Sequence, residues 1–210
     1  MNIAAESVVR RPGRPKSEEK AAAIREAAAC LFMTEGMERT SMDAIAQAAG
    51  VSKQTVYSHF KSKDDLFRAC VASKVQMYGL DEAQIDAEEP VDVALRRVGR
   101  QFLTLLNDPE VIQMFRLMIA EATSFPRIVE SFYDTGPKAT ISYVTRIFSR
   151  YLPPGSGVEA ARRAACDFVA LVKGEYFMER LLGTRTDLDR AEADAHVERC
   201  VAQVRKLYSI

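Results

Sequence analysis

The sequence contains no tryptophan, only two histidines (His59 and His196), and no net charge, with 29 Lys and Arg against 29 Asp and Glu. Such a balance removes whole-molecule charge as a guide to partners. Four cysteines, Cys30, Cys70, Cys166 and Cys200, lie far apart with no Cys-x-x-Cys pair. With so few histidines, that spacing leaves no zinc-type ligand set, and no metal is expected. The scattered thiols suggest small core residues rather than a disulfide framework. No apolar run is long enough to span a bilayer, and the charged N-terminus has no apolar stretch behind it, so neither membrane insertion nor a secretion signal is expected. The expected location is the cytoplasm. A phosphate-cradling glycine loop with lysine, a paired-histidine motif and a Gly-x-Ser-x-Gly elbow are all missing, which argues against an enzyme and against a bound cofactor.

What is present is helical. The 210 residues are 48% hydrophobic and 28% charged, ordinary for a soluble globular chain that can bury one or two cores. Up to Lys74 there are 12 Lys and Arg against 9 Asp and Glu; beyond it there are 17 against 20. A mildly basic head on a mildly acidic body fits a nucleic-acid-binding module joined to a different kind of domain.

The most informative stretch runs from Thr40 to Lys63, TSMDAIAQAAGVSKQTVYSHFKSK. Thr40 and Asp43 have capping-box spacing, and Met42, Ile45, Ala46 and Ala49 give the following helix one apolar face. Gly50 suits the left-handed stop of that helix, and Ser52 the cap of a second one, Lys53–His59. There only Val56 and Phe60 look inward, while Lys53, Gln54, Thr55, Tyr57, Ser58 and His59 form a polar face. No carboxylate lies between Val51 and Lys63. A helix offering hydrogen-bonding side chains without negative charge is what a major groove requires, so the layout is a helix-turn-helix.

From Ala21 to about Phe67, and most specifically over Gly50–Phe67, the sequence resembles the DNA-binding domain of the TetR family of bacterial repressors. The resemblance implies that Lys53, Gln54 and Thr55 face bases and that Tyr57, His59 and Lys63 contact phosphates. Thr40, at the head of the preceding helix, joins the DNA-contact set. Upstream, Arg10, Arg11, Arg14 and Lys16 crowd around Pro12-Gly13-Arg14-Pro15, an extended segment similar to the core of an AT-hook. It would lay Arg14 in a narrow A·T-rich minor groove; the alternative is a solvated basic tail.

A first helix capped by Ser17, with Ile24, Ala28, Leu31 and Phe32 inward and Gly36 at its end, should brace the helix-turn-helix. Ser62 and Asp65 form a second capping box, opening a helix expected to run through the eighties. Leu66 and Phe67 are expected to pack on the head, and Val71, Val75 and Tyr78 on the body. Helical patterns continue from Pro90, from Asp108-Pro109 and from Pro137. The Val111–Ile119 segment is apolar nearly all round and should be central. The final pair, Val158–Leu182 and Leu188–Tyr208, carries apolar stripes suited to a four-helix bundle with a second copy, or to packing on its own body. The expected architecture is all-α, about nine helices, divided into a basic arm (1–16), a DNA-binding domain (17–63) and an effector-binding and dimerisation domain (64–210).

The stretch Phe115–Ala122, through Phe125-Pro126 and Phe132-Tyr133 to Gly136-Pro137, is similar to the C-terminal domain of AefR-like TetR regulators. The family resemblance implies a small, largely apolar effector in this domain, with Phe102, Met114, Met118, Phe125, Tyr143 and Phe177 as candidate contacts. Glu121 and Lys173 could orient a polar group or simply lie at the helix surface.

The expected function is a homodimeric, ligand-responsive repressor of a palindromic double-stranded DNA operator, using its last two helices to dimerise. Two other functions fit parts of the chain. A helical ligand carrier or enzyme with a vestigial head would not bind DNA. A nucleoid-type protein using the arginine tail would bind it without sequence preference.

Overall fold

The computed structural model describes residues 15–80, 88–185 and 188–210. These contain eleven α-helices and no strand. The chain divides into two compact units, Met1–Leu66 and Phe67–Ile210.

In the first unit, α1 (Pro15–Glu35), α2 (Met42–Ala48), α3 (Lys53–His59) and the first turn of α4 (Lys63–Met77) enclose one small core. Ile24, Ala28 and Phe32 of α1 meet Met37, Ile45, Ala46, Val56, Phe60 and Leu66, all of them buried. Each large member contributes about 1.5–3 kcal/mol by burial, so a few side chains carry this unit. Helix α1 begins at Pro15, before the expected cap at Ser17, because proline is well suited to a first helical turn. Residues 1–14, and with them Arg14 and most of the expected arm, lie outside the described residues. Gly36, at φ 82°, ends α1 as its sequence position suggested.

Helix α4 stops at Met77 instead of running through the eighties. Gly79 takes φ 66°, its N–H donates to the Gln76 carbonyl, and the Leu80 N–H reaches back to Val75. That is a glycine helix stop.

The second unit is built around α5 (Val91–Asn107), which buries Ala94, Leu95, Val98, Gly99, Phe102, Leu103, Leu105 and Leu106. It packs against α6 (Pro109–Glu121), α8 (Pro137–Tyr151), α9 (Gly157–Lys173), α10 (Tyr176–Leu182) and α11 (Arg190–Tyr208), while α7 (Pro126–Thr135) leans on α6 and α8. Helix α5, not α6, is therefore the central one. Although α6 is richer in apolar residues, Ile119 is exposed and only Val111, Ile112 and Met118 are fully inside. Gly99 marks the crossing of α5 and α11: a Cβ there would fall 2.8 Å from Val197 Cγ1 and 3.3 Å from the Phe168 ring.

The apolar stripes of α9 and α11 pack within this unit. Ala161, Ala164, Ala165, Phe168 and Val172, with Val197, Cys200, Val201 and Val204, are all buried in one subunit's core. Of the two alternatives for these stripes, the named residues fit packing on the subunit's own body. What α9, α10 and α11 leave exposed are Val158, Met178, Leu182 and Leu207. The expected single helix Val158–Leu182 is also broken, at Gly174 (φ 48°), where the His196 ring lies 3.3 Å from the position of a would-be Cβ. Of the four thiols, only Cys200 is buried and Cys30 is exposed, so the assignment of all four to the core does not hold.

The end of α4 is tied to the start of α6. Asp108 caps α6 by accepting from the Glu110 N–H at 2.8 Å, takes the Tyr78 hydroxyl at 2.7 Å and pairs with Lys74 at 2.8 Å. Burial alone would push the Asp108 carboxyl up, but its bonds from Lys74 and Tyr78 outweigh that and hold it below the usual range. Burial and the same hydrogen bond push the Tyr78 phenol up to about 12. Among the described residues, no helix is long and apolar enough to cross a membrane.

Candidate nucleic-acid interface

The corner between α2 and α3 is locally determined. Gly50 adopts φ 64°, and the Val51 N–H bonds to the Ala46 carbonyl at 3.0 Å. Ser52 Oγ accepts from the Thr55 N–H at 3.1 Å, starting α3 at the residue its sequence indicated. Val56 and Phe60 point inward and are buried, so the other faces of this short helix are fixed outward. Tyr57 is 46% exposed, a high value for so large a ring. Lys53, Gln54 and Ser58 are exposed, and Thr55 and His59 are half-buried.

Several of these groups are already engaged. Lys53 Nζ lies 2.7 Å from Asp43 Oδ1 and 3.0 Å from Oδ2, and this exposed pair links α3 to α2 and raises the lysine pKa. The Thr55 hydroxyl is 2.8 Å from Ser52 Oγ, so it serves the cap. Gln54 and Tyr57 carry no such intramolecular bond among the described residues. To face bases, Lys53 must exchange Asp43 for the groove.

Two members of the expected DNA-contact set are turned inward. Thr40 is buried, and its hydroxyl donates to the Gly36 carbonyl at 2.8 Å and the Leu31 carbonyl at 3.2 Å. The cap of α2 is Ser41, whose Oγ accepts from the Ala44 N–H at 3.1 Å. Adjacent Thr and Ser made the cap ambiguous, and the Asp three residues after Thr40 favoured the wrong one. The Lys63 ammonium donates to the carbonyls of Met37, Thr40 (2.9 Å) and Glu38 (3.4 Å). To meet a phosphate, Lys63 would have to exchange one of these backbone bonds for it. The second capping box is present: Ser62 Oγ accepts from the Asp65 N–H at 3.1 Å, while Asp65 Oδ2 accepts from the Lys61 N–H at 3.0 Å. Lys61, left out of the expected set, is exposed.

A short polar helix, outward by construction and preceded by a glycine corner, is a helix-turn-helix presenting its second helix. The family model for bacterial regulatory proteins of the TetR family matches residues 24–70, and that for the AefR-like transcriptional repressor C-terminal domain matches residues 93–210. The chain belongs to the TetR family. It is 34% identical over 111 residues to the transcriptional regulator AcrR of Shigella flexneri, a match covering 53% of this chain and 51% of AcrR. The chain thus spans about half the length of that relative. Among solved structures, a TetR-family regulator of Mesorhizobium loti MAFF303099 superposes with a TM-score of 0.71 at 25% identity, covering 93% of this chain and 99% of the other. The flavonoid-responsive regulator FrrA superposes with a TM-score of 0.67 at 30% identity, covering 90% and 97%.

For a TetR-type body, the candidate effector contacts fall in different environments. Phe102, Tyr143 and Phe177 are buried in one common core, Met118 is buried, and Met114 and Phe125 are half-exposed. The Tyr143 hydroxyl accepts from Arg97 Nη1 at 3.3 Å, and Arg97 is held by Glu89 at 2.8 Å. Phe177 meets Phe115 edge-on at 4.9 Å, with Lys173 Nζ 4.3 Å above its ring. Burial lowers the Lys173 pKa. A separate open cleft of about 730 Å³ lies between the end of α4, α5 and α11, walled by Tyr78, Arg100, Leu103, Thr104, Asp194 and Val197. None of the six candidates lines that cleft.

Proposed function

We propose that the protein is a ligand-responsive transcriptional repressor that binds a palindromic operator as a dimer. The observation carrying this is the outward face of α3, Lys53, Gln54 and Tyr57, held by the buried anchors Val56 and Phe60. Membership of the TetR family supports the same function. Lys53 and Gln54 are assigned to base edges, and Tyr57 and His59 to phosphates; Thr55 joins the base set through its methyl side, since its hydroxyl serves the cap. Two such helices one duplex turn apart would enter successive major grooves about 34–36 Å apart. The arm around Arg14 would add minor-groove affinity.

An effector would bind in the second unit. The candidate contacts are Phe102, Met114, Met118, Phe125, Tyr143 and Phe177, and the likeness to FrrA, named as flavonoid-responsive, favours a flat aromatic molecule. Helix α4 is continuous across the division between the units, so a displacement of its far end is the route by which an effector would act on DNA. By linkage, DNA must weaken effector binding by the factor by which effector weakens DNA binding. The dimer would form on the outer faces of α9, α10 and α11, where Val158, Met178, Leu182 and Leu207 are exposed. A repressor with this composition would act in the cytoplasm.

Selection from random duplexes tests the function directly. The expected result is an enriched inverted repeat whose preferred bases change in Lys53→Ala and Gln54→Ala, at about 1–3 kcal/mol for each bidentate pair removed. Binding without any enriched sequence would support the nucleoid-type alternative, and no binding would support the carrier.

A further inference from the structure

Two polar atoms of the second unit are buried without a hydrogen-bond partner among the described residues: Asn107 Oδ1, at the end of α5, and Arg180 Nε, in α10. The residues are neighbours, since Arg180 Nη2 donates to the Asn107 carbonyl at 2.7 Å. One orphan can only accept and the other can only donate. Both residues line a small cavity of about 10 Å³, whose apolar walls include Leu103, Leu106, Phe177 and Leu188. That is room for one oxygen-sized group. Leu103, Asn107 and Leu188 also line the open cleft of about 730 Å³ beside α5 and α11. The two spaces therefore adjoin, with Asn107 in the wall of each, and the cleft is large enough for a small organic ligand.

We propose that the cleft binds a neutral aromatic ligand bearing a hydroxyl group, which enters the small cavity, donates to Asn107 Oδ1 and accepts from Arg180 Nε. This rests on the effector reading above and narrows its flat aromatic molecule to a phenol-bearing one. The orphans select the group. A hydroxyl donates and accepts at once, whereas a carboxylate or ether only accepts and leaves Asn107 unsatisfied. An ammonium only donates and would oppose the guanidinium of Arg180. The cleft gives an ion no net field either: its described lining sets Arg100 and Arg190 against Asp108 and Asp194. Arg100 is already bonded to Asp194 at 2.7 Å, and Asp108 to Lys74 at 2.8 Å. Leu188, half-buried and ahead of the first turn of α11, is the side chain that turns aside to join the two spaces.

The position also suits a response. Tyr78 forms part of the cleft wall, and its hydroxyl is bonded at 2.7 Å to Asp108, the residue after Asn107. A ligand drawing on Asn107 acts beside the tie that holds the end of α4 to the start of α6.

The test uses the full chain and three probes of similar size: 2-naphthol, 2-methoxynaphthalene and 2-naphthoate. The chain has no tryptophan, so naphthyl fluorescence reports binding directly. 2-Naphthol should bind about tenfold more tightly than the ether, which cannot donate, and more tightly than naphthoate. Asn107→Leu removes the acceptor and should abolish the preference for the phenol over the ether. Thr104→Phe, on an exposed wall of the cleft, should weaken all the probes by obstructing it. Equal affinity for phenol and ether in the parent chain, the result that a permanently held water would give, overturns the proposal. So do no binding of 2-naphthol, tighter binding of naphthoate, or a preference that survives Asn107→Leu. Affinities unmoved by Thr104→Phe put the ligand elsewhere and overturn it as well. Should Asn107→Leu fail to fold, the parent's preference and the effect of Thr104→Phe decide without it. Release of the selected duplex by 2-naphthol tests the effector reading separately: binding with these preferences but without release sustains the site and rejects its effector role.

Discussion

The first unit closes its core with neighbours in sequence, whereas the second closes its core with residues far apart in it. Ile45, Val56 and Leu66, which seal the head, fall within 22 residues of one another. Gly99 of α5 is sealed instead by Val197 and Phe168, and Arg96 reaches Glu198 at 2.8 Å across the same pair of helices. A local core can be specified by spacing and caps; a long-range core is decided by which stripes meet. The two units should accordingly fail in different ways.

The largest effect is expected from Val201→Asp. Val201 is buried in the body's own core, so the charge has no partner and costs about 3–5 kcal/mol or more. Circular dichroism should show loss of the body's helices and sedimentation an aggregated chain. A well-folded monomer would instead mean that this stripe faces a second copy. Ile45→Ala comes next. It removes a fully buried side chain from the smaller core at about 2–5 kcal/mol. Hydrogen exchange should accelerate in α2 and α3 and stay slow in α5, α8 and α9. Acceleration in both units together would break the distinction between them.

Gly99→Ala is expected to cost about 1–3 kcal/mol by overpacking α5 against α11, lowering the melting temperature of the body alone. A smaller effect concerns pH. Asp108 is held below its ordinary pKa, so its contribution is present above about pH 4 and is lost as acid protonates it. Asp108→Asn keeps a good cap for α6 but should flatten the loss of stability between neutral and acid pH. Equal acid slopes in the two chains would remove Asp108 from the account. Least of all, Asp43→Asn should release Lys53 and strengthen binding to mixed-sequence DNA by a few-fold, with steeper salt dependence.

The extent to which the sequence was legible follows the same division. The glycine corner, the Ser52 cap, the limits of α3 and the inward pair Val56 and Phe60 are consequences of side chains within one or two turns. The starts of α5 and α6 at Pro90 and Asp108 are equally local. Gly79, which ends α4, was visible in the sequence but outweighed by the length of the pattern around it. The choice of Ser41 over Thr40 was not local, because the Thr40 hydroxyl is drawn to carbonyls of α1.

By itself, then, the sequence determined an all-α chain with a helix-turn-helix near its start, since periodicity, caps and glycine stops act over a few residues. Only the tertiary structure decided which helix is central, that the stripes of α9 and α11 are spent within one subunit, and that the Lys63 ammonium lies among carbonyls of the α1–α2 turn. Each of these depends on what lies opposite a side chain, and the partners come from 23 to more than 90 residues away in sequence.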